Sequence, residues 1–186
     1  KILRMLEGYH QENPLRLYTS SAKLRQTIKP VVEKGLYDEI MGELCRENLC
    51  YLEGDHVRLS GHQVHFPADL EDIRNKIEKK FLSPPFAPPS LEEIVSELGQ
   101  KAEKVIDYLK EAGTLIPAEE GVVFHSAALD QAEKLVREIL QKKKQGSIAD
   151  FKEVFNTSRK YLIPLLAHCD NVGITVWDGE VRRLKE

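Results

Sequence analysis

Apolar positions recur along this chain in one arrangement, found three times: a stripe at helical spacing, then two short strand-like stretches with a glycine between them. The copies occupy 36–60, 100–126 and 157–185. Leu36, Ile40 and Leu44 fall on one helical face in the first, and Ala102, Val105, Ile106 and Leu109 in the second. Leu162, Leu165, Leu166 and Cys169 do so in the third. The tips are Glu53-Gly54-Asp55, Glu120-Gly121 and Asp178-Gly179, and the last pair tolerates positive φ at both positions, which predicts a two-residue hairpin turn. Pairing across that turn sets Trp177 opposite Glu180 and Thr175 opposite Arg182 on one face. Val176, Val181 and Ile174 share the other, so Arg182 and Arg183 point to opposite sides.

Ahead of each long stripe the chain predicts a shorter helix opened by a hydroxyl cap. Ser90 with Glu93 reads as a capping box, Ser147 with Asp150 as a weaker version of one, and Ser20 or Ser21 is the candidate in the first copy. Before these lie helical stretches at 2–9, at 70–82 with Ile73, Ile77 and Phe81 in register, and at 130–144 with Leu135, Ile139 and Leu140. The unit is helix, helix, helix, hairpin, the small solution known as a winged helix. The fold class is therefore mainly α with small β-hairpins (α+β), in tandem winged-helix domains at 1–69, 70–129 and 130–186. The proline cluster SPPFAPPS at 83–90 would cut the second unit if taken as a linker, so it is assigned as a rigid connection inside that unit.

Composition adds that 41% of the 186 residues are hydrophobic, that no apolar run approaches a membrane span, and that the net charge is only -3. That near-neutrality is a cancellation. Basic against acidic residues number nine to ten in 1–69, seven to eleven in 70–129 and eleven to nine in 130–186. Only the last unit is basic, with Lys142, Lys143, Lys144, Lys152, Arg159 and Lys160 facing Asp150 and Glu153, a balance that attracts a polyanion. Three cysteines at irregular spacing make no disulfide framework and fit a reducing, cytoplasmic compartment. Residue 1 is Lys rather than Met, so the start is expected to be a cut inside a longer chain.

The third long helix opens with Asn156-Thr157-Ser158-Arg159-Lys160-Tyr161. At 100° per residue, Ser158 falls near the buried stripe, Thr157 and Lys160 share the far face with Pro164, and Arg159 sits on the flank. Hydroxyls, free backbone N–H groups and two cations at an exposed helix start suit a phosphate. Cys45, Cys50, His56, His62 and His65 fit no standard zinc spacing. His125 and His168 read as structural histidines, and no catalytic triad, phosphate loop or paired-carboxylate cleft is indicated.

The run SIADFKEVFNTSRKYLIPLLAHCDNVGITVWDGEVRRLK resembles the last winged helix of the bacterial selenocysteine-specific elongation factors of the SelB type. There a T-S-R-K-Y-x-x-P-L-L run is followed by G-x-T and a G-[DE]-x-R wing. LEGDHVRLSGHQVHF, PPSLEEIVSELG, VIDYLKEAGTLI and VVFHSAAL are similar to the preceding winged helices of that family. The resemblance implies a non-catalytic, mRNA-hairpin-binding tail that tethers the factor to the selenocysteine insertion element beside UGA codons. It also implies a monomer in the cytoplasm with no membrane partner and no cofactor in this stretch, and an absent N-terminal GTPase portion holding GTP, Mg and selenocysteinyl-tRNA at the ribosome. Carried over residue by residue, RNA contacts fall on Thr157, Ser158, Arg159, Lys160, Tyr161 and the wing residue Arg182. Val176 and Trp177 stand where family members often carry basic wing residues. Trp177 and Tyr161 would stack bases. Rival readings are a winged-helix DNA-binding regulator, whose third helix would enter a major groove, and a protein-interaction scaffold.

Overall fold

In the computed structural model, which describes residues 1–28 and 30–185, a serine starts each short helix. Ser20 accepts from the Lys23 amide ahead of α2 (Ser21–Thr27), while Ser90 and Ser147 form complete capping boxes with Glu93 and Asp150 at α5 (Leu91–Leu98) and α8 (Ile148–Phe155). The hydroxyl satisfies one of the amides that a first helical turn leaves without a partner.

The helices that precede the three hairpins, α3 (Lys34–Arg46), α6 (Lys101–Glu111) and α9 (Arg159–Asn171), all end in one turn. The amides of Leu49, Thr114 and Ile174 reach back to the carbonyls of Leu44, Leu109 and Cys169, at 2.9, 2.8 and 2.9 Å. The residue before each amide has positive φ: Asn48 at 55°, Gly113 at 70° and Gly173 at 76°. A hairpin follows at once each time. β2 (Cys50–Glu53) pairs with β3 (His56–Leu59), β4 (Leu115–Pro117) with β5 (Val123–His125), and β6 (Thr175–Trp177) with β7 (Arg182–Leu184), all antiparallel. The short β1 (Thr19–Ser20) adds to β3 in the first sheet.

The chain divides into two compact units, Lys1–Asp69 and Leu70–Glu186. In the first, Ile2 and Leu6 of α1 (Ile2–Glu12), Leu24, Tyr37, Met41, Cys50 and Val57 make the core. The buried face of α3 centres on Tyr37 and Met41, with Ile40 and Leu44 half-buried. Leu36, expected in the stripe, is 54% exposed; in that first turn it is Tyr37 that faces inward, its hydroxyl bonded to Ser21 of α2. The second unit begins with α4 (Ala68–Leu82), whose Ile77 and Phe81 are buried. Its α7 (Ser126–Lys143) starts directly after β5, so the expected division near residue 129 falls in the first turn of a continuous helix. Val122 and Phe124 share a core with Leu129, Val136 and Leu140 of α7, with Phe151 and Phe155 of α8, and with the Leu162, Leu165, Leu166 and Cys169 stripe of α9. Phe86 in the proline-rich segment packs edge-on against Phe155 at 4.8 Å and Pro88 is buried, so this segment lies against the core of its own unit.

Among the described residues, no helix is long and apolar enough to cross a membrane.

Candidate nucleic-acid interface

The start of α9 is built by the turn that precedes it. α8 ends at Asn156, whose left-handed conformation (φ 44°) reverses the chain, and Ser158 is the N-cap of α9. Thr157 therefore lies in the turn rather than on the helix. Its hydroxyl donates to the Phe86 carbonyl at 2.6 Å, and the residue is buried. Ser158 takes the exposed place, and its side chain makes no cap hydrogen bond. The expectation for these two is thus reversed, because the helical phase begins only after Ser158 and does not extend back to Thr157.

Pro164, expected on the solvent face with Lys160, is buried. α9 packs against α7, α8 and the single turn at Glu119–Gly121, so its covered arc is wider than a leucine stripe. Arg159 and Lys160 are exposed as read, and Tyr161 is half-buried with the Lys160 ammonium 5.2 Å from its ring centre. Lys160 and Tyr161 also border a cavity of about 360 Å³ lined by Pro88, Pro89, Glu92, Glu93 and Glu120. The three carboxylates in that lining disfavour an anion inside the cavity itself.

The wing differs more. β6 and β7 pair Trp177 with Arg182, Val176 with Arg183 and Thr175 with Leu184, two residues out of the expected register. Asp178 explains the shift: one carboxylate oxygen accepts the amides of Glu180 (3.1 Å) and Val181 (2.9 Å), folding 178–181 into a four-residue loop. Those amides hold the Asp178 carboxyl below its usual range, with Arg183 assisting.

Arg182, expected to reach outward, is only 6% exposed. Its Nε and Nη2 donate to the Asp170 carboxylate at 3.0 and 2.9 Å, and its guanidinium lies 5.4 Å from the Trp177 ring centre. Arg183 is the exposed one of the two, and it binds Asp178 at 2.7 Å and the Gln145 amide oxygen at 3.1 Å. Trp177 and Val176 are exposed on the wing, at 54% and 50%.

The basic run before α8 is partly committed. Lys143 pairs with Asp150, whose carboxyl is pushed down first by that ammonium and then by Ser147. His168 meets the Glu133 carboxylate at 3.1 Å, and His125 Nδ1 accepts the Ala127 amide at the start of α7. Among the described residues no group of three or more His, Cys, Asp or Glu is placed to hold a metal. In the first unit His62 stacks on His10 with ring centres 3.6 Å apart and bonds the Arg16 carbonyl.

Sequence reasoning missed Asp170 and Phe86, the two groups that immobilise Arg182 and Thr157.

Comparison with known proteins places these features in context. Two family profiles, both described as elongation factor SelB, winged helix, match residues 3–59 and 138–184, together more than half of the chain. A selenocysteine-specific elongation factor of Desulfomicrobium baculatum is 27% identical over 187 residues, covering 99% of this chain and 30% of the relative. The mRNA-binding domain of elongation factor SelB from E. coli, solved in complex with SECIS RNA, superposes with a TM-score of 0.53 at 20% identity, covering 65% of this chain and all of that one. A bacterial selenocysteine-specific elongation factor, EF-Sec, gives 0.56 at 18% identity, covering all of this chain and 29% of that one. At these identities the structural likeness shows the winged-helix fold. The chain spans about three tenths of the length of its full-length relatives.

Proposed function

The chain belongs to the elongation factor SelB winged-helix family, and from that premise we propose that it is the mRNA-binding region of a selenocysteine-specific elongation factor. The observation that carries this reading is the pair of exposed cations, Arg159 and Lys160, at the start of α9 inside the segment that the family profile matches. The solved relative bound to SECIS RNA supports a hairpin as the ligand. In this reading 1–69, 70–129 and 130–186 are three winged-helix modules, the last holding RNA and the first two setting its distance from the rest of the factor. The winged helices are non-catalytic. GTP with Mg, selenocysteinyl-tRNA and the ribosome belong to the intact factor, which the RNA contact tethers beside a UGA codon in the cytoplasm.

The mechanism follows from A-form geometry. The major groove of an RNA hairpin is too narrow for side chains to read, so recognition uses backbone contacts and unstacked loop bases. Arg159 and Lys160 supply the phosphate contacts, and Ser158 adds a free hydroxyl beside the first-turn amides of α9. The exposed indole of Trp177 and the ring edge of Tyr161 offer stacking surfaces. Thr157 and Arg182 act by position: the first fixes the turn that aims α9, the second fixes the wing.

Titration with a selenocysteine-codon hairpin, its loop-scrambled form and duplex DNA, each at two salt concentrations, tests the reading. Preference for the native loop with strong salt dependence is expected. Equal affinity for all three would sink specific RNA recognition, tighter DNA binding would favour a DNA-binding regulator, and no binding would favour a protein scaffold.

A further inference from the structure

The turn that ends α3, α6 and α9 brings the same two positions together each time, the residue after the accepting carbonyl and the first residue of the following strand. In the third copy these are Asp170 and Thr175, hydrogen-bonded at 2.5 Å. In the second they are Lys110 and Leu115. In the first they are Cys45 and Cys50, whose sulfur atoms lie 3.5 Å apart as free thiols. We infer that Cys45 and Cys50 are a reversible disulfide site, which covalently ties the end of α3 to the start of its wing when the chain meets a low-molecular-weight disulfide.

Geometry carries most of this. A disulfide requires sulfur atoms about 2.05 Å apart, so the pair must close by roughly 1.5 Å. Both residues lie within one hydrogen-bonded turn, in which Asn48 donates to the Cys45 carbonyl at 3.0 Å and Leu49 to the Leu44 carbonyl at 2.9 Å. Accessibility sets the order of events. Cys45 is half-buried and open to a small oxidant, whereas Cys50 is 3% exposed and Cys169 is wholly buried in the other core.

The Cys45 thiolate attacks one sulfur of the small disulfide and releases a first thiol, leaving a mixed disulfide on Cys45. Cys50 then loses its proton to solvent and attacks the Cys45 sulfur, releasing the second thiol. Two electrons pass to the oxidant, which ends as two thiols, and the protein ends as a disulfide. Burial and the neighbouring Cys45 push the Cys50 thiol up to about 12, which slows the second step near neutrality.

Incubating the 186-residue chain with oxidised glutathione at about pH 8, then trapping with acid and mapping peptides, tests the assignment. The expected product has lost two hydrogens, carries a Cys45–Cys50 cross-link, keeps Cys169 free and is restored by dithiothreitol. Closure should accelerate roughly tenfold per pH unit while the Cys50 thiolate remains scarce. Cys50→Ser should stop at the glutathione adduct on Cys45. A wild-type chain that accumulates the adduct without closing, or that leaves both thiols unreacted while its fold is intact, overturns the inference.

Discussion

Arg182 is held on Asp170 by two hydrogen bonds that converge on Oδ2, from Nε at 3.0 Å and Nη2 at 2.9 Å, in a side chain only 7% accessible. The residue that motif matching assigns to the RNA surface is thus a strut of the wing. Removing one partner of such a pair strands the other charge, so Arg182→Ala should cost about 2–4 kcal/mol, discounted because the Asp170 side chain is 24% exposed. Urea unfolding of the variant should show the lower midpoint. Well below its unfolding transition, hairpin affinity should fall less than in Arg159→Ala; a larger fall would make Arg182 a direct contact.

Arg159 and Lys160 behave in the opposite way. Both are exposed, so alanine at either should leave stability within about 0.5 kcal/mol of the parent. Hairpin binding should weaken, and the slope of log affinity against log salt should flatten by about one for each phosphate left without its cation. A variant that binds with an unchanged slope would remove that side chain from the interface.

Thr157→Val keeps the shape of the turn but leaves the Phe86 carbonyl without the 2.6 Å hydroxyl. The expected loss is about 1–2 kcal/mol in chemical denaturation, with Thr157→Ser recovering most of it. Equal stability of the valine variant and the parent would show that the bond does not fix the turn.

Gly146→Ala tests the packing beneath the wing. A Cβ there would stand 2.8 Å from Phe151 Cζ and 3.2 Å from Leu140 Cδ2, both in fully packed side chains. The overpacking should cost about 1–3 kcal/mol, read as a lowered thermal midpoint.

Acid should weaken the first unit through His10. Burial, the stacked His62 and the nearby Arg58 hold its pKa at about 4 against an ordinary 6.5, and its Nε2 accepts the Leu59 amide at 3.4 Å. Between those values the unfolded chain binds a proton that the folded chain refuses. Stability is therefore complete above about 6.5 and falls as the pH drops towards 4, by on the order of 3 kcal/mol. His10→Gln should flatten the dependence of the urea midpoint on pH in this window; an unchanged dependence would assign it to other groups.

What was legible in the sequence was local. The Ser90 and Ser147 capping boxes depend on contacts within a few residues, and the apolar stripes of α6 and α9 and the presence of a hairpin after each follow from local spacing. What was not legible required a partner distant in the chain. Thr157 turns inward because Phe86 lies 71 residues away with an open carbonyl. Arg182 turns inward because the Thr175 face of the ribbon, and not the Val176 face, meets the end of α9, where Asp170 waits; the two-residue shift keeps that face and only sets Arg182 opposite Trp177. Leu36 is apolar and in phase with Ile40, yet the first turn of α3 buries Tyr37 against α2 instead.

The wing of the last module also has an inside and an outside edge. Arg182 exchanges both of its backbone hydrogen bonds with Gly146, at 2.9 Å each, so β7 is occupied along both sides there. β6, paired only with β7 among the described residues, keeps its outer row of amides and carbonyls open beside the exposed Val176 and Trp177. Any ligand that extends this ribbon through its backbone must therefore add at the tryptophan-bearing edge, and a β-bulge or proline placed in β6 would close that route without touching a single cation.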